Sequence, residues 1–261
     1  MIIIKTKLYK VIKNIKSLIE EMKIINDRFG GQIWWRGNTD YRYKLQPSVF
    51  RKRKDILPPY NETQMNLRFM QKAPAIYKNV PKNDEYFKWL FLMQHYKFAT
   101  RLLDWTESPL IACYFAVLDE EKTKKIDGAL FGMSPYLLNN SQNKSIGKNL
   151  LNPGNLTAKK LAECAFGDNI SNNNDVLAIL PSLIDKRMIA QLSTFTIHNS
   201  SMPLEEQIDS DKYLLKYVIP YPSKEILREE LKHAGLRPST IFPDLEHLSE
   251  EIMSIARFID N

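Results

Sequence analysis

Cysteine is scarce in this chain. Its 261 residues hold two, Cys113 and Cys164, and neither has a Cys or His neighbour at metal-ligand spacing. That argues against a disulfide framework and against a Cys/His zinc site, so no metal is expected. Cys113 sits in an apolar run over residues 110–117 and reads as a small buried hydrophobe. Long apolar runs are also missing: no window approaches the roughly 18 residues that a membrane helix needs. The apolar start at residues 1–4 is interrupted by Lys5 and Lys7, with no cleavage site beyond, so no signal peptide is expected. Few cysteines and no leader fit a cytoplasmic protein with no membrane association. Walker-type phosphate loops, GxGxxG, His-Glu-x-x-His and GxSxG are all absent from the sequence.

What is present is ordinary globular material, 44% hydrophobic and 26% charged, enough for one large domain. The charge is uneven. Net charge is +7, and the first 60 residues hold 14 Lys and Arg against 5 Asp and Glu, while the rest hold 23 against 25. Such an excess at one end suits an anionic partner, a nucleotide or nucleic acid, or else forms a solvated basic face. The cluster Arg51, Lys52, Arg53, Lys54 beside Tyr41, Tyr43 and Phe50 offers charge and stacking for nucleic acid, or is an exposed loop.

Periodicity predicts a helix over residues 11–25, with Ile12, Ile15, Leu18, Ile19, Met22 and Ile25 on one stripe, ended by Gly30 and Gly31. A short aromatic strand over 32–35 follows, placing Arg36 and Gly37 at its end. Helices are expected over 62–77 and 84–96, the second carrying Gln94 and His95 on one face with Phe87, Leu90 and Phe91. A strand over 100–103 leads to a turn at Asp104, Trp105 and Thr106. Ser108 as N-cap and Pro109 at the first position then open a helix through 118. Strands are expected over 129–133, 176–180, 188–197 and 213–219, and helices over 223–233, closed by Gly235, and 244–258. Residues 139–155 and 167–175 read as polar loops. Irregularly interspersed strands and helices predict an α+β fold: a mixed or antiparallel sheet core with several flanking helices.

Four stretches resemble the FRG domain family. They are Ile33-Trp34-Trp35-Arg36-Gly37 with Leu45-Gln46-Pro47-Ser48; Gln94-His95-Tyr96 through Thr100 to Pro109 and on to Ala116; Arg187 to Gln191 with Phe195 to His198; and Phe242-Pro243-Asp244-Leu245. The periodicity gives an N-terminal amphipathic helical segment over 1–30, and the resemblance implies an FRG domain over 31–261. Lys97 and Ala99 depart from it, standing where Gly and Pro are usual, as does Ser193, where Gly follows Gln191. A second resemblance, in motif order, is to the arginine-serine-glutamate class of ADP-ribosyltransferases. It implies that Arg36 holds NAD as substrate, that Thr106 and Ser108 support the site, and that Gln191, on a later strand, stands where that class has its catalytic Glu. An effector role, as bacterial toxin or phage-defence component, would follow.

The residues themselves point to the same region. A guanidinium grips phosphate through a planar fork, and Gly37 lets a ligand approach the backbone. Arg36, His95, Thr106 and Gln191 are the candidate catalytic residues, and Arg36, Gly37, Arg101, Asp104, Trp105, Thr106 and Ser108 the candidate NAD-binding ones. Against this, Arg36 could pair with Asp104 as a purely structural tie, and Arg101 with Asp104 could fix the 100–108 turn. His95 with a nearby carboxylate could be a general acid or base, or part of that same network. Gln191 carries no charge and cannot stabilise an oxocarbenium-like centre as a carboxylate does.

Overall fold

The computed structural model describes residues 2–4, 7–51, 61–118, 121–167, 175–182 and 185–256. Its strands are β1 (Ile2–Ile4), β2 (Lys7–Val11), β3 (Trp34–Asn38), β4 (Leu102–Thr106), β5 (Gly128–Met133), β6 (Val176–Ile179), β7 (Ser193–His198) and β8 (Leu214–Ile219). Its helices are α1 (Ile15–Phe29), α2 (Glu62–Lys72), α3 (Tyr86–His95), α4 (Pro109–Ala116), α5 (Pro135–Gln142), α6 (Leu156–Cys164), α7 (Lys186–Ala190), α8 (Ser223–His233), α9 (Pro238–Ile241) and α10 (Leu245–Ala256). The strands lie in the order β1-β2-β8-β5-β3-β4-β7-β6. All pairings are antiparallel except that of β2 with β8. This is the expected α+β mixed sheet. No described helix is long and apolar enough to cross a membrane.

The sheet is not evenly knitted. β3 pairs with β5 over five residues, and β4 with β7 over five. Between β3 and β4 only Trp35 and Thr106 stand in register. The two middle strands therefore touch at one end and part along the rest of their length. The helices follow the same division. On one face, α1, α4 and α8 bury Leu18, Ala112, Cys113 and Leu227 against Trp35, Leu130 and Tyr217 of the β3-β5-β8 half. On that same face, α3 and α6 bury Leu90, Phe91 and Leu161 against Leu102, Leu177, Phe195 and Ile197 of the β4-β7-β6 half. A third cluster, with Trp34, Leu103, Trp105 and Phe131, fills the opposite face. Two helical groups thus meet above the seam where the strands separate.

Local chemistry explains most element boundaries. Asn14 caps α1 by accepting from Ser17 N, so the helix starts there, and residue 11 of the expected 11–25 helix belongs to β2 instead. Ser108 accepts from Ile111 N and Pro109 needs no acceptor, so α4 begins where expected. The residues expected to form a turn, Asp104, Trp105 and Thr106, lie within β4. Arg36 and Gly37 lie inside β3 rather than at its end. The expected strand over 188–197 divides into α7, capped by Asp185 accepting from Met188 N, and β7. Part of the expected polar loop over 139–155 is helical: Ser134 and Pro135 open α5, and buried Asn139 binds Ala178 through both its Oδ1 and its Nδ2. Most of the expected 167–175 loop, and Lys52, Arg53 and Lys54, lie outside the described residues.

Candidate functional site: a cationic cleft at the seam of the sheet

The gap between β3 and β4 opens into a cleft of about 430 Å³. Its floor is the pair of parted strands. One wall is α4, through Ala112 and Phe115, and the other is the end of α3 with the turn after it, through Gln94, Lys97 and Phe98. The charged residues lining it are Arg36, Arg51, Lys97 and Arg187 against a single carboxylate, Asp104. An anion entering it meets a net positive field.

Arg36 spans the seam. Its Nη1 donates to the backbone carbonyl of Asp104, taking up an acceptor that the missing β3–β4 ladder leaves free. The Asp104 carboxylate is 3.8 Å from the same nitrogen and half exposed (53%), so it faces the cleft more than it neutralises the guanidinium. The Arg36 Nε is buried with no partner. Burial brings the guanidinium down to about 10, opposed by Asp104 and assisted by Arg51, and it stays charged at neutral pH. Gln94 positions the carboxylate: its Nε2 donates to Asp104 Oδ2 at 2.8 Å, and its Oε1 accepts from Thr100 Oγ1. The Thr100 hydroxyl in turn accepts from Leu102 N.

The other expected site residues are distributed differently. Trp105 and Thr106 line the cleft, but both are buried. Trp105 donates its Nε1 to Thr196 Oγ1 and Thr106 accepts from Ser108 N, so both are wall rather than platform. Ser108 caps α4 and lines no part of the cleft. Gly37 borders the cleft, yet a Cβ there would lie 1.9 Å from the carbonyl oxygen of Ala112. Its missing side chain admits a helix, not a ligand. Gln191 reaches the cleft, but from the C-terminal end of α7 rather than from a strand, with its Nε2 donating to Ile241 O.

Two expected roles are moved elsewhere. Arg101 does not meet Asp104. It is buried and forks onto both carboxylate oxygens of Glu62, with Nη1 also donating to Leu161 O and Asn199 Oδ1. It ties α2 and α6 to the sheet. His95 turns away from Gln94, because neighbouring residues point about 100° apart on a helix of 3.6 residues per turn. Its Nδ1 lies 3.0 Å from Asp185 Oδ2, in a separate pocket of about 320 Å³ that also holds Tyr77 and Tyr96. Among the described residues no group of three His, Cys, Asp or Glu could hold a metal ion.

The structure places in the cleft further residues that the expected NAD site did not include. Arg51 is one of the cleft's cations, with Nε donating to Gln46 O. Arg187 stacks over the Phe242 ring at 4.9 Å. Phe98, Phe115 and Tyr43 line the cleft with their rings partly exposed, which suits stacking against a planar base. In the sequence both Phe98 and Phe115 fall within the span of the second FRG-like stretch, but only the fold places them on opposite walls of the cleft.

Behind the seam, His198 is fully buried, with Nε2 2.8 Å from Thr196 Oγ1. Burial, helped by the charges of Arg36 and Arg101, pushes its pKa down to about 3. The unfolded chain takes up this proton near pH 6.5, and the folded one does so only near pH 3. The unfolded state therefore binds more protons between these values, and stability is lost as pH falls below 6.5. Urea unfolding of the wild type should show a loss of about 2 kcal/mol between pH 7 and 5 from this group. His198→Gln should flatten that slope. An unchanged slope in the variant would mean that His198 titrates normally.

This is an α+β protein whose mixed sheet opens at its middle into a cationic, aromatic-walled cleft. Residues 31–125 match the FRG domain family, and this stretch, running from before β3 through α4, supplies the floor and both walls of the cleft. No curated protein and no solved structure matches the chain.

Proposed function

We propose that the cleft binds an anionic nucleotide, with NAD the leading candidate. One observation carries the reading: Arg36 is held across the parted strands by a single hydrogen bond, with its Nε unpartnered, inside a cleft of four cations and one carboxylate. The Arg36 side chain is 18% exposed and lines the cleft, so the accessible edge of its guanidinium is open to grip phosphate. The partly exposed rings of Phe98, Phe115 and Tyr43 suit the base. The order Arg36, Thr106 and Gln191 along the chain resembles that of ADP-ribosyltransferases and supports NAD over other nucleotides. Titration calorimetry with NAD and ADP-ribose tests this, with micromolar to millimolar binding expected. Arg36→Ala should weaken it about 10- to 100-fold, the worth of one or two charged hydrogen bonds. No heat at millimolar ligand, or equal affinity in the variant, would remove the proposal.

A second reading, turnover of NAD, rests on Asp104. Cleaving the nicotinamide–ribose bond needs a carboxylate near the developing oxocarbenium-like centre, and Gln191 is neutral. Asp104 is the only acid lining the cleft among the described residues, and Gln94 and Arg36 fix its place. If the protein is an effector that consumes NAD, expressing cells should stop growing, release nicotinamide, and be rescued by Asp104→Asn. Binding of NAD without release of nicotinamide would make the protein a nucleotide-binding module. Binding of nucleic acid through the basic first 60 residues is the competing partner, recognised by affinity for oligonucleotides that falls steeply with salt.

A further inference from the structure

We propose that Lys97 selects ligands carrying a second phosphate, and that it occupies a strained backbone position for this purpose. The inference rests on the nucleotide reading of the cleft. α3 ends in a two-bond cap: Phe98 N donates to Met93 O and Lys97 N to Gln94 O. That closure requires a left-handed residue at its hinge, normally glycine. Here the hinge is Lys97, with φ of 59°. A side chain with a Cβ is disfavoured in this region, and lysine has no short polar group to offset the strain locally. The lysine gains nothing visible from the fold in return, because its ammonium group makes no hydrogen bond or ion pair among the described residues. It does line the cleft, on the wall away from α4. A cap that would be more stable as glycine is thus spent on a free cation at the mouth of a cationic site.

Arg36 on the floor and Lys97 at the turn come from different elements, so they supply two separately anchored positive charges. A nucleoside monophosphate can satisfy one of them. A pyrophosphate-bearing nucleotide can satisfy both, since a lysine ammonium acts as a point charge on a flexible stem that reaches the outer phosphate. Lys97 is therefore a specificity-determining residue rather than a catalytic one.

The test compares ADP-ribose with AMP by calorimetry, together with thermal unfolding, on the full chain. Lys97→Met keeps the Cβ and removes the charge. It should bind ADP-ribose about 10-fold more weakly, leave AMP unchanged and unfold at the wild-type temperature. Lys97→Gly should show the same loss of ADP-ribose affinity while unfolding roughly 2–4 °C higher, as strain is relieved. Unchanged ADP-ribose affinity in both variants, or equal weakening for both ligands, overturns the proposal while leaving the cleft as a nucleotide site. A glycine variant no more stable than wild type overturns the claim of a strained position. Absence of any binding by the wild type removes both the proposal and the reading beneath it.

Discussion

Replacing Gly37 by alanine should unfold a large part of the population at temperatures where the wild type is intact. The added Cβ would stand 1.9 Å from Ala112 O and 2.7 Å from Ala116 N. Both are backbone atoms of α4, so no side chain can swing aside, and the helix as a whole must lift. α4 carries Ala112, Cys113 and Ala116, all fully buried against the sheet, so lifting it opens the core beneath. Gly128 on the neighbouring strand shows the same constraint, its Cβ falling 2.8 Å from Ala116 O, which leaves the helix no sideways escape. Overpacking of this kind costs 1–3 kcal/mol in cores that can adjust, and this one has little room to do so. The expected loss is at least about 3 kcal/mol, lowering Tm by roughly 6–12 °C. A Tm within 2 °C of wild type would show that α4 does not lie this close to β3. The result also separates two meanings of an Arg-Gly pair in the sequence: the arginine serves the cleft and the glycine serves the helix behind it.

The second large effect is expected at Arg101, a residue that first looked like part of the ligand site. Its guanidinium and the Glu62 carboxylate are both almost wholly buried, with side chains 6% and 12% exposed, and paired at 2.6 and 3.0 Å. Arg101→Met removes one charge and strands the other, along with the acceptors on Leu161 and Asn199. Breaking a buried pair from one side typically costs 3–5 kcal/mol, because an uncompensated charge remains in the interior. Removing both partners costs less, since no charge is left uncompensated in the interior and only the neutral acceptors on Leu161 and Asn199 lose a donor. The double variant Arg101→Met with Glu62→Leu should therefore be more stable than Arg101→Met alone, a coupling that denaturant unfolding of all four proteins measures. Additive effects would show that the pair is solvated. Because Arg101 does not line the cleft, folded Arg101→Met protein should bind ADP-ribose as the wild type does.

These two residues show where sequence reading succeeded and where it stopped. Caps and turns written in adjacent residues were legible: Ser108 with Pro109, the helix from Ser223 to His233 and the closing Gly235, and the strand after Asp127. β4 was misread because Asp104 breaks its apolar pattern. The strand lies open on the cleft side at that point, and an exposed polar residue amid buried ones looks like a turn. α7 and β7 merged into one expected strand because Met188 and Ile189 run on toward Phe195 and Ile197. The break at Leu192, with φ of 46°, has no glycine to announce it. α5 repeats the Ser-Pro opening of α4, but its Asn and Ser content hid it, since burial of Asn139 depends on a strand 39 residues away. In the site, Arg36 and Asp104 were legible from their motifs. What separates Gln94 from His95, and what turns Arg101 inward to Glu62, is tertiary placement that no local pattern encodes.

The strand order carries a consequence for anyone dividing this chain. The stretch from 31 to 125 contributes β3 and β4, which are neighbours, but each draws nearly all its pairing from outside: β3 from β5 and β4 from β7. Cut out alone, it would be two ribbons joined at one residue pair, with a raw hydrogen-bonding margin on both sides and no sheet to lay its helices on. Such a fragment is a template for aggregation rather than a working unit. The signature-bearing half of the cleft stands only because the later strands grip it from left and right.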